Sequence, residues 1–208
     1  VIIVHDLENS RSQRVMWLLQ ELELPYEVRE YKRNAKTMRA PESLKKVHPL
    51  GLAPIIEDDG LLMAETGAIF QYLLDKYDTE GKLHPLKGSD KYNDYIYWLH
   101  FAEGSLMPPL LIRLLLAKVV EKVPLIIKPF AIGISKGLEA AYLKDQIKRL
   151  FTFINDQLSK EGFFLGSKLS AIDIMMSFPL EAAADGRVKL TQYKHISTYL
   201  SAIKRSTK

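Results

Sequence analysis

A chain of 208 residues that is 47% apolar and 26% charged has enough material for one large or two small domains with a real core, and its composition argues against disorder. It has no cysteine, which excludes disulfides, thiolate metal sites and a protein-borne cysteine nucleophile; thiol chemistry would need a ligand's thiol. Residues 1–80 carry 10 Lys+Arg against 14 Asp+Glu (−4) and residues 81–208 carry 19 against 11 (+8). The basic residues are scattered among apolar helix positions and form no block, which argues against nucleic acid as a partner.

Val1–His5 is a short β-branched run and reads as a strand. Too short for a signal peptide or a span, it leaves a cytoplasmic location as the default. Ser10–Leu24 has Val15, Leu18, Leu19 and Leu22 at helical spacing and stops at Pro25. Tyr26–Tyr31 reads as a second strand, so the opening unit favours a parallel pair with a right-handed crossover. Arg33–Val47 is polar and basic, a loop with a short irregular helix. Pro54–Glu57 and Leu61–Ala64 are apolar runs around Asp58-Asp59-Gly60, the signal of an antiparallel hairpin. Glu65–Tyr77 is helical again, with Ile69, Tyr72, Leu73 and Lys76 in phase.

The order β-α-β-(α)-β-β-α is thioredoxin-like. Strand signals then disappear. Residues 79–90 hold glycine, proline and charges and read as a linker. Beyond them Lys91–Val120, Ile132–Leu158, Ile172–Ala184 and Gln192–Lys204 are helical patterns. The expected architecture is a thioredoxin-like α/β domain over residues 1–78 followed by an all-α helical bundle over 91–208. The greasiest region, Leu106–Ile134, is interrupted by Arg113, Lys118, Glu121, Lys122 and Lys128 and by four prolines. It reads as buried helices and not as a membrane span.

Three pieces of the first domain carry chemistry. In Asn9-Ser10-Arg11-Ser12-Gln13-Arg14-Val15 a hydroxyl stands at a helix start. It can cap the helix, or it can hold a thiolate in the field of the helix N-terminus. In Leu50-Gly51-Leu52-Ala53-Pro54-Ile55 a proline opens a strand. Held cis, it would turn the backbone of the preceding residue outward to pair with an extended peptide. In Glu65-Thr66-Gly67 a carboxylate and a hydroxyl open a helix right after a strand. They can cap that helix, or take an amino-acid head group, Glu65 the ammonium and Thr66 the carboxylate.

With these motifs in order, nearly the whole chain resembles the glutathione transferase family. The segment from Ser10 to Arg14-Val15 is similar to the serine-dependent, theta- and phi-like branches. Their catalytic serine lies four residues before that arginine, which selects Ser10 over Ser12. Leu52-Ala53-Pro54 resembles the family's cis-proline turn, and Glu65-Thr66 resembles its Glu-Ser pair for the γ-glutamyl group. Gly166 with Ser170-Ala171-Ile172-Asp173 is similar to the buried capping box and folding motif. Tyr97–Ser105 resembles helix four of bacterial and fungal members.

The resemblance implies glutathione as co-substrate, no metal, Ser10 as the catalytic residue, and Arg39, Leu52, Ala53, Glu65 and Thr66 as the glutathione-binding set. Pro54, Ser170 and Asp173 are structural. There are two departures. Leu52 stands where many members have Lys or Gln, which shifts pairing of the glycyl carboxylate to Arg39, and Thr66 replaces a serine. A small hydrophobic electrophile is expected between the loop near Leu7–Asn9 and the helix bearing Met107 and Leu111, residues that ordinary core packing also explains. Tyr92, Tyr95, Tyr97, Trp98 and Phe101 read as core or dimer contacts.

The family further implies a homodimer, to which Glu65–Tyr77 would offer apolar residues on more than one face and in which Glu103 could reach a neighbour's glutathione ammonium. Glutathione-dependent peroxide reduction at the same site and a non-catalytic interaction module, as in translation-factor subunits, remain alternatives. A thiol–disulfide oxidoreductase is disfavoured by the missing cysteines.

Overall fold

The computed structural model describes residues 1–206, with side chains to residue 204. The chain divides into two compact units, residues 1–92 and 93–208.

In the first unit the elements are β1 (Ile2–Leu7), α1 (Ser12–Glu21), β2 (Tyr26–Tyr31), α2 (Glu42–Val47), β3 (Ile55–Asp58), β4 (Leu61–Ala64) and α3 (Thr66–Tyr77). The sheet order is β2-β1-β3-β4. β1 and β2 are parallel, as the intervening helix requires, and β3 runs antiparallel to both of its neighbours. On one side α1 and α3 supply Val15, Leu18, Leu19, Ile69, Phe70 and Leu73, all fully buried. On the other, Leu44 of α2 joins Leu7 and Ile55 in a small cluster. Leu74 of α3 is also buried, so the apolar residues of α3 that suggested an exposed dimer face are spent on the unit's own core.

The hairpin turn is shorter than the sequence suggested. Asp59 (φ 46°) and Gly60 (φ 81°) form it alone, both in the left-handed region that a two-residue turn demands. Asp58 is the last residue of β3, and its buried carboxylate accepts from Tyr72, Lys76 and Tyr77 of α3, each at 2.8 Å. Burial pushes that carboxyl up, but the Lys76 ammonium and the two phenols more than offset this and hold it below the usual range.

Residues 79–90 are tied to α3 by a second buried acid. The Asp78 carboxylate accepts the N–H groups of Lys82, Leu83 and His84 at 2.8, 2.8 and 3.0 Å and the His84 ring Nδ1 at 2.8 Å. Burial raises its pKa, yet the His84 ring and the three amides outweigh burial and leave it below the ordinary value.

The second unit is helical: α4 (Tyr92–Phe101), α5 (Met107–Lys122), α6 (Lys128–Leu138), α7 (Lys144–Glu161), α8 (Ala171–Ala182) and α9 (Lys194–Ser206). The two long sequence patterns each contain a π-helical turn, Ala102–Leu106 between α4 and α5 and Glu139–Leu143 between α6 and α7. Each adds a residue to one turn of an otherwise continuous helix. Trp98 organises the aromatic core. It stacks on Phe153 with ring centroids 5.3 Å apart and meets Phe101 and Phe164 edge-on at 4.9 and 4.8 Å. Tyr95 is buried as well, whereas Tyr97 is exposed.

α8 is the most deeply buried helix, and its N-terminus has no access to water, so its first amides need protein partners. Ser170 and Asp173 form the expected capping box. Asp173 is fully buried; its carboxylate accepts from the Ser170 N–H at 2.7 Å, the Ser170 hydroxyl at 2.6 Å and the Phe164 N–H at 3.1 Å. Burial lifts its pKa to about 6 against the pull of these donors.

One sequence expectation fails here. Leu106–Ile134 is not a set of buried helices. Past Leu110 nothing in α5 is buried, and α6 has no buried residue. The prolines and lysines that rule out a span also keep this stretch from joining the core.

Two outcomes are expected from the buried acids. Asp173→Ala strips partners from the Ser170 and Phe164 amides and lowers stability in urea unfolding by about 1–3 kcal/mol. Loss below about 0.5 kcal/mol would mean a solvated first-turn acid. Asp78 has a depressed folded pKa, so its contribution is complete at neutral pH and is lost as pH falls below about 4. The stability gap between wild type and Asp78→Asn should therefore close on acidification through that window, as read by urea unfolding at stepped pH.

Candidate active site

The register of the sheet brings the three sequence pieces to one end. His5, Ile55 and Ala64 lie in one row across β1, β3 and β4. Because β3 is antiparallel to its neighbours, β1 leaves that row toward Ser10, the chain enters β3 there from Ala53-Pro54, and β4 leaves there into Glu65-Thr66. Strands are about 4.8 Å apart, so the three segments emerge within about 10 Å of one another.

After β1, Asn9 takes a left-handed φ of 53° and redirects the chain. α1 starts at Ser12, two residues later than the sequence pattern suggested, and no side chain of the N-cap residue Arg11 caps it. The half-buried Ser10 does part of that work: its Oγ accepts the Ser12 N–H at 3.2 Å and lies 2.8 Å from the Ser12 Oγ. Ser12 itself is fully buried, with its hydroxyl 3.4 Å from the His5 carbonyl. A Ser10 oxygen that accepts from Ser12 keeps its own proton to donate outward. Capping and anion binding are thus compatible at Ser10. Behind the pair lies Asp6, whose carboxyl is pushed up by burial and by the Glu30 charge, and drawn down by the Ser12 and Ser10 hydroxyls.

The Ala53–Pro54 peptide bond is cis. Pro54 is buried, Ala53 half-buried and Leu52 exposed. Among the described residues, neither the N–H nor the carbonyl of Ala53 enters a backbone hydrogen bond, so both are open to an extended ligand. Gly51, at φ 58°, makes the turn into this segment, where a Cβ would lie 2.7 Å from the Lys45 side chain.

Glu65 has φ 74° and ψ 116°, a strained backbone for any residue but glycine. Its side chain is exposed and does not cap α3, which removes the capping alternative for the carboxylate. Its carbonyl accepts the Ile69 N–H at 2.9 Å and begins the helix. Thr66 is buried at the first helical position. An acid held in a strained conformation at a helix start it does not cap is the signature of a binding group.

Other predicted residues stand apart. Arg39 is exposed in the loop before α2, where its carbonyl accepts the Asn34 N–H at 2.9 Å; among the described residues its guanidinium has no partner. Met107 and Leu111 share one face of α5, the first buried and the second exposed. Glu103 lies in the π-helical turn and is half-buried. Sequence reasoning missed Asp6 and the relay through Ser12. The available signal was an acid in an otherwise apolar strand, two residues before its end.

A thioredoxin-like sheet whose one end gathers a helix-start serine, a cis-proline turn and a strained acidic helix start, joined to an all-helical unit, defines a two-domain class. The description "Glutathione S-transferase, N-terminal domain" matches residues 1–75, and "Glutathione S-transferase, C-terminal domain" matches residues 120–206. The chain is 39% identical to glutathione S-transferase 1 of Saccharomyces cerevisiae over 98% of its own length and 90% of that protein's. It is 32% identical to glutathione S-transferase 3 of Schizosaccharomyces pombe over 98% of this chain and 83% of the relative. A crystal structure of a glutathione S-transferase from Actinobacillus pleuropneumoniae superposes with a TM-score of 0.79 at 35% identity, covering 98% of this chain and 87% of that one. The chain belongs to the glutathione S-transferase family.

The strain at residue 65 gives a direct test. Glu65→Gly relieves a conformation costing about 1–3 kcal/mol while adding glycine's entropic penalty of about 0.5–1 kcal/mol. It should raise stability by about 1 kcal/mol and weaken glutathione binding in calorimetric titration. Unchanged binding would mean that the carboxylate has no ligand role.

Proposed function

We propose that this glutathione transferase ionises the thiol of bound glutathione at Ser10 and transfers the sulfur to small hydrophobic electrophiles. The observation that carries the reading is the convergence of Ser10, Ala53 and Glu65-Thr66 at one end of the sheet, each with polar groups that the fold leaves open. In this reading the Glu65 carboxylate takes the γ-glutamyl ammonium, and Thr66 with its N–H takes the neighbouring carboxylate. The backbone of Ala53 pairs with the cysteinyl residue as an added strand would. Leu52 offers backbone alone, so the glycyl carboxylate falls to Arg39. Met107 and Leu111 contribute apolar surface to the electrophile.

The energetics are adequate for ionisation. A free thiol with pKa about 8.5 is only about 3% thiolate at pH 7. Lowering the pKa by about two units needs about 2.7 kcal/mol. A hydroxyl hydrogen bond to the charged sulfur gives about 1.5–3 kcal/mol, and the N-terminus of α1 adds about 0.3–1 kcal/mol. The proton leaves to solvent, a carbon–sulfur bond forms, and the displaced group departs with its electron pair. Nucleophilicity falls as pKa falls, with a slope of about 0.4–0.5. A rise in thiolate of about 25-fold therefore yields a rate gain of only about threefold. The remainder must come from positioning the electrophile against the sulfur.

Homodimerisation and a cytoplasmic location belong to the same reading, supported by family membership. With the apolar residues of α3 buried, the exposed Tyr97 and Phe153 of α4 and α7 are the better candidates for a subunit contact. Sedimentation velocity at micromolar concentration tests this, and a monomer there would contradict it.

Ser10→Ala should raise the pKa of bound glutathione by about 1–2 units, the equivalent of the lost hydrogen bond, and lower turnover accordingly. Ser12→Ala, which removes a buried hydroxyl one step behind, should shift it less. Ultraviolet titration of the bound thiolate reads both, and an unchanged curve in Ser10→Ala would overturn the assignment.

A further inference from the structure

α5 and α6 form a helical hairpin whose far end is not part of any core. Arg113 pins its base, its guanidinium donating to the Glu139 carboxylate and to the Arg187 carbonyl. Beyond that point the apolar residues face out. At the turn Val123-Pro124-Leu125-Ile126-Ile127, Leu125 and Ile126 are 84% and 87% exposed, and Phe130 in the first turn of α6 is 74% exposed. Soluble surfaces carry single exposed apolar residues routinely but seldom a consecutive run of large ones.

The charge around this tip is one-sided. Residues 112–138 hold five basic side chains and one acidic one, Glu121. Glu121 pairs with Lys118 at 2.7 Å. Its carboxyl is held below the usual range by Lys118 and further lowered by the charges of Lys122 and Lys128, so the three ammonium groups cluster beside the apolar turn. No helix among the described residues is long and apolar enough to cross a membrane.

We propose that the α5–α6 tip is a peripheral docking site for an anionic lipid surface. Leu125, Ile126 and Phe130 enter the headgroup–acyl boundary, and Lys118, Lys122 and Lys128 pair with acidic headgroups. Apolar insertion and a basic cluster are the two signals that stable but reversible surface anchoring requires. The shape agrees: a convex turn enters a fluid layer, whereas a protein groove would need a matching cavity. A second copy of the chain is the less suitable cover, because two such tips would bring identical cations together.

The site is independent of the glutathione-binding residues, so it can be tested with the transferase activity as a control for folding. Full-length protein is sedimented with phosphatidylcholine vesicles containing about 30 mol% phosphatidylserine and with pure phosphatidylcholine vesicles. Binding is expected to the anionic vesicles and to fall steeply at about 0.5 M salt. The Leu125→Ser, Ile126→Ser, Phe130→Ser triple variant should bind at least about tenfold less, and Lys122→Gln and Lys128→Gln should each cost about fivefold, with helicity and conjugation unchanged. No binding by wild type, equal binding to both vesicles, or full binding by the triple variant overturns the proposal. A triple variant that turns a wild-type dimer into a monomer also overturns it, because a second copy would then be the cover.

Discussion

A helix leaves its first four N–H groups without partners inside the helix, and how each helix start in this chain meets that demand separates structure from function. At α8 the demand is met entirely from within. Ser170 and Asp173 satisfy each other and the adjoining backbone in a site closed to water. At α3 it is left open: Glu65 stands at the start, strained and exposed, with its carboxylate uncommitted. At α1 the arrangement is intermediate, since Ser10 accepts one amide through its oxygen and retains a proton to donate. The same three-residue vocabulary of hydroxyl and acid yields a locked helix in one domain and a receptive pocket in the other.

The acids of the first unit show why buried charge appears where the sequence looks least structural. Asp58 and Asp78 both fall where turn or linker composition suggests solvent, and both are buried. Each carboxylate collects several donors from a single neighbouring segment, three side chains of α3 in one case and three consecutive amides with a ring nitrogen in the other. Carboxylates with that many donors can be removed from water at little net cost. They hold the hairpin and the segment after α3 where apolar residues are too few to do so.

The sheet was legible in the sequence because its information is local. β2 begins and ends where its alternation does, and the Asp59-Gly60 turn is written in the residues whose φ must be positive. Ser170 and Asp173 were legible for the same reason, three residues apart on one turn. What stayed hidden depends on partners far along the chain. Nothing near Asp58 announces Tyr72, Lys76 and Tyr77. The late start of α1 at Ser12 depends on a left-handed Asn9 that periodicity does not encode. The exposure of the α5–α6 hairpin was misread because an apolar run looks the same to periodicity whether a core receives it or not.

The π-helical turns at Ala102–Leu106 and Glu139–Leu143 carry a historical implication. Each holds one residue more than a regular turn, as a single-codon insertion into a helix would leave behind. Excising one residue from either would restore an unbroken helix and rotate everything downstream by about 100° about the axis. Past the first turn, Met107 and Leu110 would lose their inward orientation; past the second, Ile147, Phe151 and Ile154 would. The extra residues are therefore phase adjusters: they let one continuous rod address two different neighbours, and gene-length variation in this domain should be tolerated in its loops and rejected at these two turns.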